Sequence, residues 1–234
     1  MKRHRMVSRL LACLCLCVAV AMPALAQDGP EQSKLVPVDE AAKDPSWVSF
    51  RNRLLAALEK RDRKFVLGIV DRNIRNALDV PRGVAEFRKY WDIDADDSPL
   101  WRELPAALFL GSAWLKPEKG PRQLCSPYVA VKWPEDIDPF DHGAITVKEA
   151  LVKAAPSSDA ATLATLSYDI VAVTDWEVAD QAKEGKQKWV KIRFKGSDAY
   201  VPEEQIRSPI EHRACFVKTE RGWRMTAFVI GQEK

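Results

Sequence analysis

Three groups of side chains in this 234-residue chain have types and spacing that could do chemistry. Asp92, Asp94 and Asp96 alternate, and Glu103 stands at the twelfth position counted from Asp92. That is the spacing of a calcium loop, in which carboxylate oxygens surround the ion and the last glutamate binds through both of its oxygens. The sixth position, where such loops use glycine for a sharp turn, is Asp97, and the eighth is Pro99. The same residues also read as an acidic loop between two helices, whose carboxylates favour the next helix N-terminus. Asp136, Asp138, Asp141 and His142 make the second group, which could supply a base or a metal ligand or be a solvated loop. Cys125 and Cys215 make the third.

What the cysteines do depends on the compartment. Lys2, Arg3, Arg5 and Arg9 precede the apolar run from Leu10 to Ala21, and Ala24-Leu25-Ala26 gives a small-x-small cleavage site, so residues 1–26 read as an export signal. Cys13, Cys15 and Cys17 leave with it, and two cysteines in an oxidising compartment most simply pair. A Cys125–Cys215 disulfide is therefore expected, with two free thiols as the alternative. A cysteine hydrolase needs a free thiolate beside a histidine, and neither a Gly-x-Ser-x-Gly nor a Ser-x-x-Lys run occurs. The formal charge of +3 includes the four basic residues of the signal; without them the chain carries 32 basic against 33 acidic residues. Electrostatic attraction to nucleic acid loses its basis, and no cofactor motif or membrane-inserting segment of the mature chain is expected.

The elements that would position these residues are legible in outline. Residues 27–45, with Pro30, Pro37 and Pro45, read as a flexible tether. Residues 46–115 read as a helical region. Ser46 caps a first helix bearing Trp47, Phe50, Leu54, Leu55 and Leu58; Phe65, Ile69 and Val70 mark a second, continued by Ile74. Gly83 precedes a third helix with Phe87 and Trp91, and Ser98-Pro99 opens a fourth with Leu100, Leu104 and Leu108. Within the linker 116–143, Tyr128 to Trp133 reads as a strand.

Residues 144–207 organise the remainder. Ala150 to Lys153, Leu163 to Leu166, Ile170 to Val173, Trp189 to Phe194 and Tyr200-Val201 are short strand-like runs with turns at Pro156-Ser157 and Gly196-Ser197-Asp198. Five such strands in about sixty residues predict a small closed or nearly closed barrel. In residues 208–234, Thr219 to Gly222 connects two strands as a hairpin. A disulfide would bring the strand before the barrel to this hairpin and build a second small sheet. The fold class is α+β: a helical N-terminal region, a β-barrel and a C-terminal β-hairpin.

The barrel segment resembles the bacterial SH3-like (SH3b) domain over about a quarter of the chain. Ala150 to Ser157 answers the family's opening L-N-V-R-S-G-P-S run, and Thr165-Leu166 through Val173 its T-L-x-x-G-x-x-V-x-V segment. Trp189 to Ile192 answers its W-x-K-V strand, and Gly196 to Val201 its closing G-x-x-G-[WY]-V hairpin. Leu151 stands for the family's asparagine, and Ala155, Asp169 and Ala199 for three of its glycines. The resemblance implies an extended peptide held by aromatics in the turns, here Trp176 in the long polar loop from Asp175 to Lys188, with Tyr168, Tyr200 and Asp198 beside it. The expected function is non-catalytic binding of peptide, peptidoglycan stem or an envelope protein, in the periplasm or outside the cell. An envelope enzyme with an acidic site around Asp136 to His142, and a structural or stress protein of the periplasm, are the alternatives.

Overall fold

The computed structural model describes residues 33–77, 79–117, 119–182 and 186–231, so residues 1–26, expected from the sequence to be an export signal, lie outside the described residues. Asp44, rather than Ser46, caps the first helix: its carboxylate accepts from the Ser46 N–H at 2.8 Å, and Pro45, which has no N–H to lose, takes the first helical position. This helix, α1 (Pro45–Glu59), buries Trp47, Phe50, Leu54 and Leu58 along one stripe. Then come α2 (Arg63–Ile69), β1 (Val70–Arg75), α3 (Val84–Tyr90) and α4 (Leu100–Phe109), which runs through Pro105. Ile74 is on β1 and not on a helix. The four-residue spacing of Val70 and Ile74 suits either element, and parallel pairing with the last strand of the chain decides for the strand.

The short strands β2 (Ala113–Leu115) and β3 (Gln123–Ser126) follow. The strand expected at Tyr128 to Trp133 is instead a single helical turn, α5 (Val129–Lys132). Pro127 has no N–H to continue a ladder but suits a helix start, and the Lys132 N–H closes the turn on the Tyr128 carbonyl at 2.9 Å. The β-propensity of valine yields to that punctuation.

The remaining strands are β4 (His142–Ile145), β5 (Ala150–Lys153), β6 (Thr162–Leu166), β7 (Ile170–Ala179), β8 (Lys188–Phe194), β9 (Ser197–Pro202), β10 (Ile206–Arg207), β11 (Arg213–Thr219) and β12 (Gly222–Val229). They form two sheets. The first has five strands in the order β1-β12-β11-β3-β2, with β1 parallel to β12 and the other neighbours antiparallel. It is thus built from segments on both sides of the second sheet in sequence, and Cys125 and Cys215 face one another across β3 and β11 and are joined as a disulfide. Side chains alternate across a strand, so Ala214 and Phe216 enter the core beneath the helices while Arg213 and Cys215 point to the opposite face. In β12, Thr226 is the extra residue of a β-bulge opposite Cys215 and Phe216. The bulge changes the parity of the strand, so Met225 and Phe228 both reach the helix side while Ala227 and Val229 join the disulfide.

The second sheet has seven strands in the order β10-β4-β7-β8-β9-β5-β6. Ile145, Val152, Leu166, Val171, Val190, Ile192, Val201 and Ile206 come from all seven strands into one core, so the sheet curls around its own apolar face. It stays open, with β6 and β10 as its two edges, rather than closing into a barrel. The turn after β8 is Lys195-Gly196, both at positive φ (48° and 80°), and Ser197 and Asp198 already belong to β9. Two consecutive residues at positive φ are what the tight turn of an antiparallel pair requires.

Residues 33–44, expected as part of a tether, are held against the body. Leu35 is buried, its N–H donates to the Tyr168 carbonyl at 2.7 Å, and Lys34 pairs with Asp169 at 2.7 Å. Farther on, the Trp114 N–H of β2 and the Lys132 ammonium both donate to Glu40, the lysine lowering its carboxyl most. Proline-rich composition sets the stiffness of a free chain, but a buried leucine and paired backbone groups decide whether it is free. Residues 208–212 connect the two sheets, with Arg207 and Glu211 paired at 2.5 Å and His212 placed 3.3 Å from Glu103.

Candidate functional site

The outer face of the seven-stranded sheet carries the side chains that its curled inner face does not need. Register places Lys191 of β8 opposite Tyr200 of β9, and Tyr200 opposite Lys153 of β5. Directly opposed residues share a face, so the phenol ring lies in a row between two lysines. The Lys191 ammonium is 6.0 Å from the Tyr200 ring centroid, within the range of cation–π attraction. Asp198, two residues from Tyr200 on the same face, accepts from Lys191 at 3.2 Å and from Arg193 at 3.0 Å. The Asp198 bond is the main cause that raises the pKa of Lys191, so this lysine is a fixed positive charge. Beside the row, Leu151 of β5 is 44% exposed, and Leu163 of β6 is 49% exposed. The arrangement is an aromatic flanked by cations with apolar side chains next to it, on a face that none of the helix cores covers.

The edge next to this face differs from the other sheet ends. On β2 the outward Trp114 N–H is taken by Glu40 at 2.6 Å, and beside β1 the Ile74 carbonyl is taken by the Gly83 N–H at 3.0 Å. At β10 the edge is only two residues long. Strand β6 is five residues long and uncharged, but Leu163 is the extra residue of a bulge between the pairs Val152–Ala164 and Lys153–Thr162. An edge bulge twists the strand and interrupts the regular ladder that another chain would need. The face, not the edge, is therefore the usable surface.

Of the four side chains expected to bind a ligand, Tyr200 and Asp198 come together on this face. Trp176 does not join them. The long polar loop expected from Asp175 to Lys188 is strand as far as Ala179, and Trp176 packs against the inner core. A Cβ on Gly143 would fall 2.7 Å from its Cη2 atom and 3.0 Å from Ile206, so the ring is seated where β4 has no side chain. Asp175 and Glu177 around it are exposed, and that alternation is the signal that separates strand from loop here. Tyr168 lies in the β6–β7 turn at φ 61°, with its carbonyl holding the Leu35 N–H. Trp189 is 1% exposed, a core residue. Lys153 and Lys191 were not expected at the site, and only the cross-strand register reveals them.

The acidic groups are engaged elsewhere. Asp94 pairs with Arg88 at 2.6 Å and Asp96 with Arg63 at 2.6 Å. The bond from His212 is the largest cause holding the Glu103 carboxyl down to about 2, with Arg102 adding to it against the opposing effect of burial. Asp92, Asp94, Asp96 and Glu103 thus do not converge as a calcium cage, and no metal-ligating group of three or more such residues occurs among the described residues. His142 Nδ1 is 2.5 Å from Asp141 and 3.1 Å from the Asp138 carbonyl at the surface end of β4. No helix among the described residues is long and apolar enough to cross a membrane. Comparison with family models, with curated proteins and with solved structures returns no match.

Proposed function

We propose that this protein is a non-catalytic binding protein of the cell envelope that holds an extended peptide across the outer face of its seven-stranded sheet. The single observation that supports it most is the cross-strand row in which Tyr200 lies between Lys191 and Lys153, next to exposed Leu151. An aromatic ring gives a peptide apolar contact at low entropic cost, and flanking ammonium groups select acidic side chains or a terminal carboxylate. The resemblance of this segment's sequence to SH3-like domains fits the same use, and a disulfide in a chain whose first 26 residues read as an export signal fits a protein that works in an oxidising compartment. Carboxylate-rich peptidoglycan stems and acidic segments of envelope proteins both carry the chemistry the row selects.

Retention of the purified, disulfide-intact protein on intact sacculi, and fluorescence titration with acidic peptides, test the reading. Tyr200→Ser combined with Lys153→Ser is expected to weaken binding by about 2 kcal/mol, roughly thirtyfold, with only a modest fall in melting temperature, because the Lys153 ammonium also donates to the Ala160 carbonyl at 3.0 Å and to Thr162 Oγ1 at 3.1 Å. Binding at wild-type strength by that double variant would remove the outer face as the site. Loss on sacculi but not on acidic peptides assigns the ligand to the cell wall; the reverse assigns it to a protein segment.

A further inference from the structure

The outer face of the seven-stranded sheet has a direction as well as a surface. Cross-strand register draws one transverse row over it: Asp175 of β7 opposite Lys191 of β8, Lys191 opposite Tyr200 of β9, Tyr200 opposite Lys153 of β5, and Lys153 opposite Thr162 of β6. The two lysines of this row differ in what compensates them. Lys191 stands between the carboxylates of Asp175 and Asp198, and Arg193 shares Asp198 with it, so cations and anions balance at that end. Lys153 has no such partner. Its ammonium donates to the Ala160 carbonyl and to Thr162 Oγ1, both neutral, and Asp159, the one carboxylate of the loop between β5 and β6, does not pair with it. Among the described residues the row is therefore balanced on its β7–β8 side and positive on its β5 side.

The surroundings of Lys153 suit one carboxylate. An ammonium group has three N–H donors; Ala160 and Thr162 take two, fix its position and leave the third for a ligand. A side chain fixed in advance loses less freedom on binding. Leu151, two residues back on the same face and 44% exposed, offers apolar contact beside it. Neighbouring strands lie about 4.8 Å apart, so Asp175 and Lys153, three spacings apart, are separated by roughly 14 Å along the row. An extended chain of about four residues covers that length. A short peptide with free ends matches the row at both of them, its ammonium group near Asp175 and its carboxylate on Lys153. An acidic side chain inside a longer peptide would instead need the chain to run on past Thr162, where the sheet ends at β6.

We infer that Lys153 is the subsite for the C-terminal carboxylate of a short extended peptide lying across the strands, with its apolar body on Tyr200 and Leu151 and its amino end toward Asp175. Lys153 plays this part only if the face binds peptide, and it adds polarity and length to that proposal. The test is calorimetric titration of the full disulfide-bonded protein with three tetrapeptides: Ala-Leu-Leu-Ala with both ends free, its C-terminal amide, and the amide of Ala-Leu-Glu-Ala, whose carboxylate is internal. The free acid is expected to bind about tenfold more tightly than either amide. That ratio falls toward one in Lys153→Gln and persists in Lys191→Gln. Equal binding of acid and amide to the unaltered protein, a ratio that survives Lys153→Gln, or an internal glutamate as effective as the free end overturns the subsite; if Tyr200→Ser still weakens binding in that case, the face stands without it. No binding of any of the three peptides overturns the subsite and the peptide-binding face together.

Discussion

In β11, Cys215 and Phe216 are neighbours in sequence and both are buried, one in the disulfide layer and one beneath the helices. In β5, Val152 is buried and its neighbour Leu151 is 44% exposed. The five-stranded sheet is covered on one face by helices and sealed on much of the other by sulfur and small apolar side chains. The seven-stranded sheet covers its inner face by curling and leaves its outer face wet. A sheet enclosed on both faces serves as a frame, whereas one with a free face can present side chains in a fixed register. The difference gives the first sheet the character of a frame and makes the outer face of the second the surface on which the proposed peptide recognition would take place.

The largest test of this division is removal of the disulfide. It closes a sequence separation of 90 residues and holds β3 to β11 in the middle of the frame. The chain-entropy model puts its worth at roughly 4 to 5 kcal/mol. Cys125→Ser with Cys215→Ser is expected to lower the urea midpoint accordingly, and amide exchange should accelerate in β3, β11 and β12 before it does in β8 and β9. Equal acceleration in both sheets would show one cooperative unit and break the contrast.

Acidification probes the connection between the sheets. With its carboxyl held at about 2 against an ordinary 4.5, Glu103 contributes stability that is fully present above pH 4.5 and is lost as pH falls toward 2. The ceiling is about 3 kcal/mol, because one pKa unit corresponds to roughly 1.4 kcal/mol. Glu211 acts in the opposite sense: burial raises its pKa, so it costs stability when ionised and relieves that cost as pH falls. The expected outcome is a net loss of stability between pH 4.5 and 2, smaller than the ceiling, which shrinks in Glu103→Gln. An acid loss of the same size in that variant would place the sensitivity elsewhere.

At about 1 to 2 kcal/mol, Gly143→Ala examines how the curled sheet fills its interior. The added methyl group would meet the Trp176 ring and Ile206, and either must move. A shift of tryptophan emission toward the wavelength of exposed indole, with a modest fall in melting temperature, is expected. An unchanged spectrum and melting temperature would mean that the ring is not held there.

How much of this was legible in the sequence follows from which forces are local. Trp47, Phe50, Leu54 and Leu58 repeat at helical spacing, so α1 is readable to within two residues at its start, the cap being Asp44 and not Ser46. The pairing of Cys125 with Cys215 is readable from counting once residues 1–26 are read as an export signal that removes the other three cysteines. Ile74 and the Tyr128 to Trp133 segment depart from what their local pattern predicts because partners distant in the chain, or a single proline, outweigh that pattern. The tether was misread because Leu35 and Ala41 find burial that composition does not reveal. At the site, Tyr200 and Asp198 could be named from a turn and an alternation, but the lysines beside Tyr200 depend on register, which no short stretch encodes.

The smallest stability effect makes the sharpest test. Leu151 and Leu124 are both strand leucines, but Leu124 is completely buried under the helices and Leu151 faces solvent. Leu124→Ser removes buried apolar surface and leaves a hydroxyl in a dry core, so a loss of several kcal/mol is expected. Leu151→Ser removes a side chain already half in water, so stability should change by no more than about 0.5 kcal/mol in either direction. If the outer face binds peptide, Leu151→Ser nevertheless weakens that binding, because the lost contact is with the ligand and not with the protein. A Leu151→Ser variant that melts several degrees lower would show that the face is part of the frame after all, and the separation of roles between the two sheets would not hold.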